Sequence, residues 1–279
     1  MKKDRLQILS FIIIAYTFSW IVELVAIFTM NFRLDFSKLF PYLLVAQFGP
    51  TIAALTTTYF FDKNDGVNIL LKRVLIFRFH WMSYILALFT IPFIFFILYI
   101  ILGILPKEGM DPFIVNLTLI ASILNGLLSS IFGGAGPLGE ELGWRGFLNP
   151  LLRKKNSILI TSVIIGIVWA FWHLPVFFFS EWRNGLTILQ FFLLYPISTI
   201  LIAYFMSIVA ELTNGSVFIA IWVHGIVNST LGYVSNNQVW NLTGISSLHI
   251  YLLILFGLLL SCIIIHLLSI KKIAAANSV

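Results

Sequence analysis

The sequence predicts an all-α polytopic membrane protein with about eight transmembrane helices. Three observations predict this. Of 279 residues, 60% are hydrophobic and 10% charged, with a mean hydropathy of +1.01; a soluble domain cannot hide that much apolar surface. The apolar residues gather into runs of roughly 20 residues or more, the length that crosses a hydrocarbon core of about 30 Å. The basic residues sit in short clusters between those runs, which is how membrane topology is written.

The same observations exclude other classes. A net charge of +6 is compatible with nucleic acid, but the clusters lie between apolar runs and no RNA- or DNA-binding module is visible, so no nucleic-acid partner is expected. The single cysteine, Cys262, excludes an internal disulfide framework and any CxxC metal site.

In chain order, Lys2, Lys3 and Arg5 precede an apolar run from Leu6 to Met30. The run is too long for a signal peptide and no small-x-small cleavage site follows it, so a retained helix is expected. Glu23 lies within it and reads as a helix-pairing carboxylate. The second span runs from about Lys38 to Phe61 and contains Gln47, Gly49 and Pro50, the proline implying a kink. Asp62 to His80 is polar, then basic, with Lys72, Arg73 and Arg78, and reads as an interfacial amphipathic helix. The third span is about Trp81 to Leu105, and a loop from Pro106 to Pro112 follows. The fourth region, Phe113 to Leu152, would be roughly 60 Å long as one helix, about twice the hydrocarbon core. It must break, and Gly133-Gly134-Ala135-Gly136-Pro137 is the expected place. Further spans are expected at Ser157 to Phe179, Leu186 to Leu212, Ser216 to Val234 and His249 to Ile270.

Eight spans put both termini on one side. That side then holds Lys2, Lys3, Arg5, Lys63, Lys72, Arg73, Arg78, Arg153, Lys154, Lys155, Lys271 and Lys272. The other holds Arg33, Lys38, Lys107 and Arg183. The bias predicts a multi-pass plasma-membrane protein with cytoplasmic termini. The chain reads as a single transmembrane domain, 1–279, with a core at 113–234.

Charges inside a membrane are costly and mark function. On an α-helix at about 100° per residue, Gly136, Gly139, Gly143 and Gly146 share one face, a surface for close helix approach. Glu140 lies at the edge of that face, pointing toward neighbouring helices. Glu141 and Arg145 are i and i+4 on another side, in the favourable order for an ion pair. Glu141 is therefore expected to hold Arg145, which leaves Glu140 for a ligand, a water or a proton. A buried ion-pair cluster that only joins helices is the structural alternative. His173 follows Trp169 by one turn. His224 and Asn228 are likewise one turn apart on one face, where the amide can orient the imidazole or bind an oxyanion. Helix lengths put Glu140, His173 and His224 about 20, 24 and 15 Å from their nearest polar ends, so they can meet at mid-membrane in a cavity. His80, His249 and His266 lie near span ends and read as structural.

Glu140-Glu141-x-x-x-Arg145, Trp169-x-x-x-His173 and His224-x-x-x-Asn228 resemble the three motifs of the CPBP (CAAX protease and bacteriocin-processing, or Abi) intramembrane proteases, to which the type II CAAX prenyl endopeptidases belong. The second motif usually begins with Phe; here it is Trp169, which implies a changed pocket shape with the chemistry kept. The resemblance implies an intramembrane endopeptidase acting on a membrane-associated peptide or protein. Glu140 and His173 would activate a water, His224 and Asn228 would hold the oxyanion, and Glu141 with Arg145 would support the site. Glu140, His173 and His224 are also compatible with a catalytic zinc or similar divalent metal; no HExxH is present, and a metal-free glutamate mechanism uses the same residues. Two other classes fit buried Glu, His and Arg: a proton-coupled transporter, against which the lack of an internal repeat speaks, and a non-catalytic bacteriocin-immunity or membrane binding protein.

Overall fold

The computed structural model describes residues 2–31, 35–103, 120, 124–130, 136–179, 181–235 and 245–276. All regular structure among them is helical. Six helical stretches among them are long and apolar enough to cross a membrane: Lys2–Thr29, Ser37–Leu75, Trp81–Leu98, Ile188–Leu212, Val217–Ser235 and Ser247–Ser269. The protein is an all-α, multi-pass membrane protein. Of the remaining expected spans, the fifth is a shorter apolar helix, Ile158–Trp172. The loop at 106–112, much of the fourth span and Gly133 to Ala135 lie outside the described residues.

Helix α1 (Lys2–Thr29) turns Leu6, Leu9, Ile13, Ile21 and Phe28 outward, as a helix bathed in lipid does. Its buried face carries Phe11 and then the small or polar Ala15, Ser19, Glu23 and Ala26. Ser19 Oγ donates to the Ala46 carbonyl at 2.7 Å, at the end of α2 (Phe36–Ala46). Helix α3 (Gly49–Lys72) begins two residues further on, with Pro50 in its first turn. The expected kink at Pro50 inside one span is therefore corrected. The chain breaks into two helices at Gln47 and Phe48, and the proline occupies a position where no N–H is needed. Within α3 the backbone redirects at Lys63 (φ 57°, ψ −156°). The segment expected to be interfacial thus continues α3, and it ends in a 3₁₀ turn at Arg73–Leu75 with an extended Ile76, short of His80.

Helix α4 is Trp81–Gly103. The glutamate-bearing segment runs as α5 (Pro137–Glu141), a π-helical stretch (Leu142–Leu148) and α6 (Asn149–Arg153). This corrects the regular α-helix assumed from sequence, since π-helical turns are wider and are found at functional sites. The small-residue face has two partners: Gly146 faces Val217 of the His224-bearing helix, and Gly139 and Gly143 face another surface. A side chain on Gly139 would stand 2.7 Å from the Gln47 carbonyl oxygen, and one on Gly143 would strike Pro50. Gly139 and Gly143 thus seat the segment on the α2–α3 junction.

Helix α7 (Ile158–Trp172) ends at His173 and continues as a 3₁₀ stretch, Leu174–Phe178. Pro175 cannot donate to another helical turn. His173 is therefore a helix C-cap and not a mid-span residue. Helices α8 (Ile188–Leu212), α9 (Val217–Ser235) and α10 (Ser247–Ala276) complete the bundle. Small polar groups join the helices: Thr199 Oγ1 donates to the Gly166 carbonyl at 2.9 Å and Ser207 Oγ to Asn149 Oδ1 at 3.0 Å. At one end Asp4 pairs with Lys154 and Lys155 at 3.2 Å, Lys3 with Asp62 at 2.7 Å, and Arg153 with Glu211 at 2.9 Å. The amino-terminal and 153–155 basic clusters thus share one end of the bundle, as the charge bias requires.

Candidate active site

Gly136 opens the glutamate-bearing segment at φ 72°, a left-handed conformation that favours glycine. Gln47 Oε1 accepts from its backbone N–H. A side chain at Gly136 would stand 2.9 Å from Glu140 Oε1 and 3.9 Å from Asn228 Nδ2, so the glycine keeps the space beside that carboxylate oxygen open.

The two glutamates diverge as the sequence predicts. Glu140 is 4% exposed, and its Oε2 accepts from the indole N–H of Trp169 at 2.7 Å and of Trp144 at 3.2 Å. With Oε2 held by two donors, Oε1 is the oxygen left for a reacting group. Glu141 is fully buried. Its Oε1 accepts from Arg145 Nη1 at 2.9 Å and lies 2.7 Å from His224 Nδ1. The guanidinium also stands over the Trp169 ring, 4.9 Å from its centroid. Glu141 therefore ties an arginine on its own segment to the histidine of α9.

His173 is fixed by the end of α7. Its Nδ1 donates to the Trp169 carbonyl at 2.9 Å; a carbonyl only accepts, so Nε2 is the ring atom available to act as a base. The ring stacks on Trp182 at 5.5 Å between centroids and meets Trp172 and Tyr195 edge-on. The Trp172 carbonyl, released where the helix stops, accepts from Trp20 Nε1 at 2.9 Å. In His224, Nδ1 faces Glu141, and the ring meets Trp169 edge-to-face at 5.1 Å.

One cavity of about 470 Å³ gathers these groups. Glu140, His173, His224 and Asn228 line it; Glu141 and Arg145 do not. The structure thus brings four of the six predicted residues to a common space and places the other two behind them. Among the described residues no three His, Cys, Asp or Glu side chains converge closely enough to hold a metal ion. Glu140 Oε2 is engaged by two indoles and His224 Nδ1 by Glu141. The histidines read as structural are engaged elsewhere: His266 Nδ1 with Tyr204, His249 Nδ1 with Ser246, and His80 Nδ1 with the Met82 N–H.

Sequence reasoning missed the two indole donors to Glu140. Trp144, four residues after Glu140, carried the signal for one of them. At Trp169, expected only to reshape the pocket, the indole adds a hydrogen bond that the family's usual Phe has no N–H to make. Glu23, which the sequence suggested as a helix-pairing carboxylate, lines the cavity.

The sequence model of the Type II CAAX prenyl endopeptidase Rce1-like family matches residues 119–230. A relative, CAAX prenyl protease 2 of Methanococcus maripaludis, is 40% identical over 42 residues. That alignment spans 15% of this chain and 16% of the relative's length. Over residues 119–230, which carry all three motifs, the chain is thus similar to the Type II CAAX prenyl endopeptidase Rce1-like family.

Proposed function

We propose that the protein is an intramembrane endopeptidase of glutamate type, with 113–234 as its catalytic core. The observation that carries this reading is the shared cavity lined by Glu140, His173, His224 and Asn228. In this reading Glu140 Oε1 and His173 Nε2 accept hydrogen bonds from one water. Glu140 takes a proton as the water oxygen attacks the carbonyl carbon of the scissile bond. The carbonyl oxygen becomes an oxyanion, held by the Asn228 amide N–H and by Nε2–H of His224 as imidazolium. Glu141, held in turn by Arg145, balances that charge and fixes the ring. The C–N bond then breaks, and Glu140 returns its proton to the departing amine. Every step uses one water and protein groups; the indoles of Trp144 and Trp169 hold Glu140 Oε2, and Glu141 holds His224 Nδ1.

A membrane-associated peptide or protein is the substrate class that a cavity within a helical bundle would meet, and cytoplasmic termini are the orientation that the basic residues support. The test is hydrolysis of membrane peptides by the protein reconstituted in lipid. Wild type should cleave, Glu140→Gln and His173→Ala should lose at least 100-fold at equal abundance, and a zinc chelator should leave the wild-type rate unchanged. Full activity in both variants would refute the hydrolytic reading. Loss of activity on chelation, restored by zinc, would refute the glutamate-type assignment.

A further inference from the structure

Glu23 is a carboxyl on the cavity wall that the hydrolytic steps do not use. It projects from α1, is 4% exposed, and its Oε2 has no hydrogen-bond partner among the described residues. A lone carboxyl in an apolar span is costly until a proton or a cation joins it. Its surroundings on the wall sharpen the point. Glu140 lines the same wall, and Glu181 lines it at an exposed position. No Lys or Arg is among the described residues lining it. Arg145 is committed to Glu141 behind the wall. Between the acids the wall is aromatic, with Trp169, Trp172, Trp182 and Tyr195, and ring faces also favour cations.

We propose that Glu23 is a specificity-determining residue that receives a Lys or Arg side chain of the substrate. This rests on the hydrolytic reading. A basic side chain brings the cation that the cavity lacks, and it anchors the peptide on α1 while Glu140 keeps its place beside the scissile bond. Apolar membrane peptides with a single basic residue are the substrate class that follows.

The test uses paired apolar peptides that carry either Lys or its uncharged near-isostere norleucine at each position in turn. With the full-length protein in nanodiscs, kcat/KM should favour Lys at one or two positions by about 10-fold. Glu23→Gln should erase that preference by raising KM for the Lys peptide, with the norleucine rate unchanged as the internal control of folding. Binding of the same peptides to Glu140→Gln protein, with and without Glu23→Gln, reads recognition without hydrolysis. A preference in binding without any cleavage would sink the hydrolytic reading and leave Glu23 only as the residue that holds a basic side chain of a bound peptide. An unchanged preference in Glu23→Gln, or an equal loss on both peptides, would overturn the assignment of Glu23.

Discussion

Glu140 holds one carboxylate oxygen between two indole N–H donors and offers the other to the cavity. Glu141, the next residue, is turned away to Arg145 and His224. Different losses follow from replacing them. Glu140→Gln removes the proton acceptor while keeping both indole bonds, so peptide hydrolysis should fall by about 10²–10⁴-fold with unchanged thermal stability. Glu141→Ala leaves a buried guanidinium unpaired, at a cost of about 3–5 kcal/mol, so the unfolding temperature in detergent should drop. Glu141→Ala combined with Arg145→Met should recover part of that stability while activity stays low. Trp169→Phe removes one charged hydrogen bond, worth about 1.5–3 kcal/mol. It should lower kcat by about 10-fold or more, and an unchanged kcat would show that Trp144 alone holds the carboxylate. The division of labour between the glutamates was legible in the sequence because it needed only i, i+4 spacing. The Trp144 donor had the same i, i+4 signal, but the Trp169 donor did not, because Trp169 reaches Glu140 from another helix.

At the scale of elements, the site depends on where helices stop. α7 ends at His173, which frees the Trp172 carbonyl for Trp20 and turns the imidazole among aromatic rings. The π-helical stretch at Leu142–Leu148 widens the turn that carries Arg145. Hydrophobic patterning located the apolar runs and the positions of most spans. It could not show these interruptions, because a π turn and an early helix end leave the apolar run unbroken. Nor could it name the partner of Gly139 and Gly143, which is the α2–α3 junction. Gly143→Leu should drive a side chain into Pro50, costing about 1–3 kcal/mol and lowering the unfolding temperature. Gly232→Ala, where nothing lies within 4 Å, should hold or raise it, since alanine is the better helix former by up to about 1 kcal/mol.

For the whole molecule, the bundle places the amino-terminal and 153–155 basic clusters at one end and encloses the cavity between α1, α2, α5, α7, α8, α9 and α10. Composition alone made the membrane class legible, because no soluble core absorbs so much apolar surface. Topology is testable through the buried Cys262, the only native thiol in the chain. Cysteines introduced at Lys2 and Asn156 should both react with a membrane-impermeant maleimide only when the cytoplasmic face is opened; labelling of either in intact cells would reverse the orientation. The central claim is that Glu140 drives water into a peptide bond inside this cavity. Mass spectrometry of new peptide termini in membranes containing wild-type or Glu140→Gln protein at equal abundance, in water enriched in oxygen-18, tests it most directly. The account predicts cleaved membrane peptides whose new carboxyl termini carry the heavy oxygen, in wild type only. The same termini in both membranes, or none in either, would contradict it.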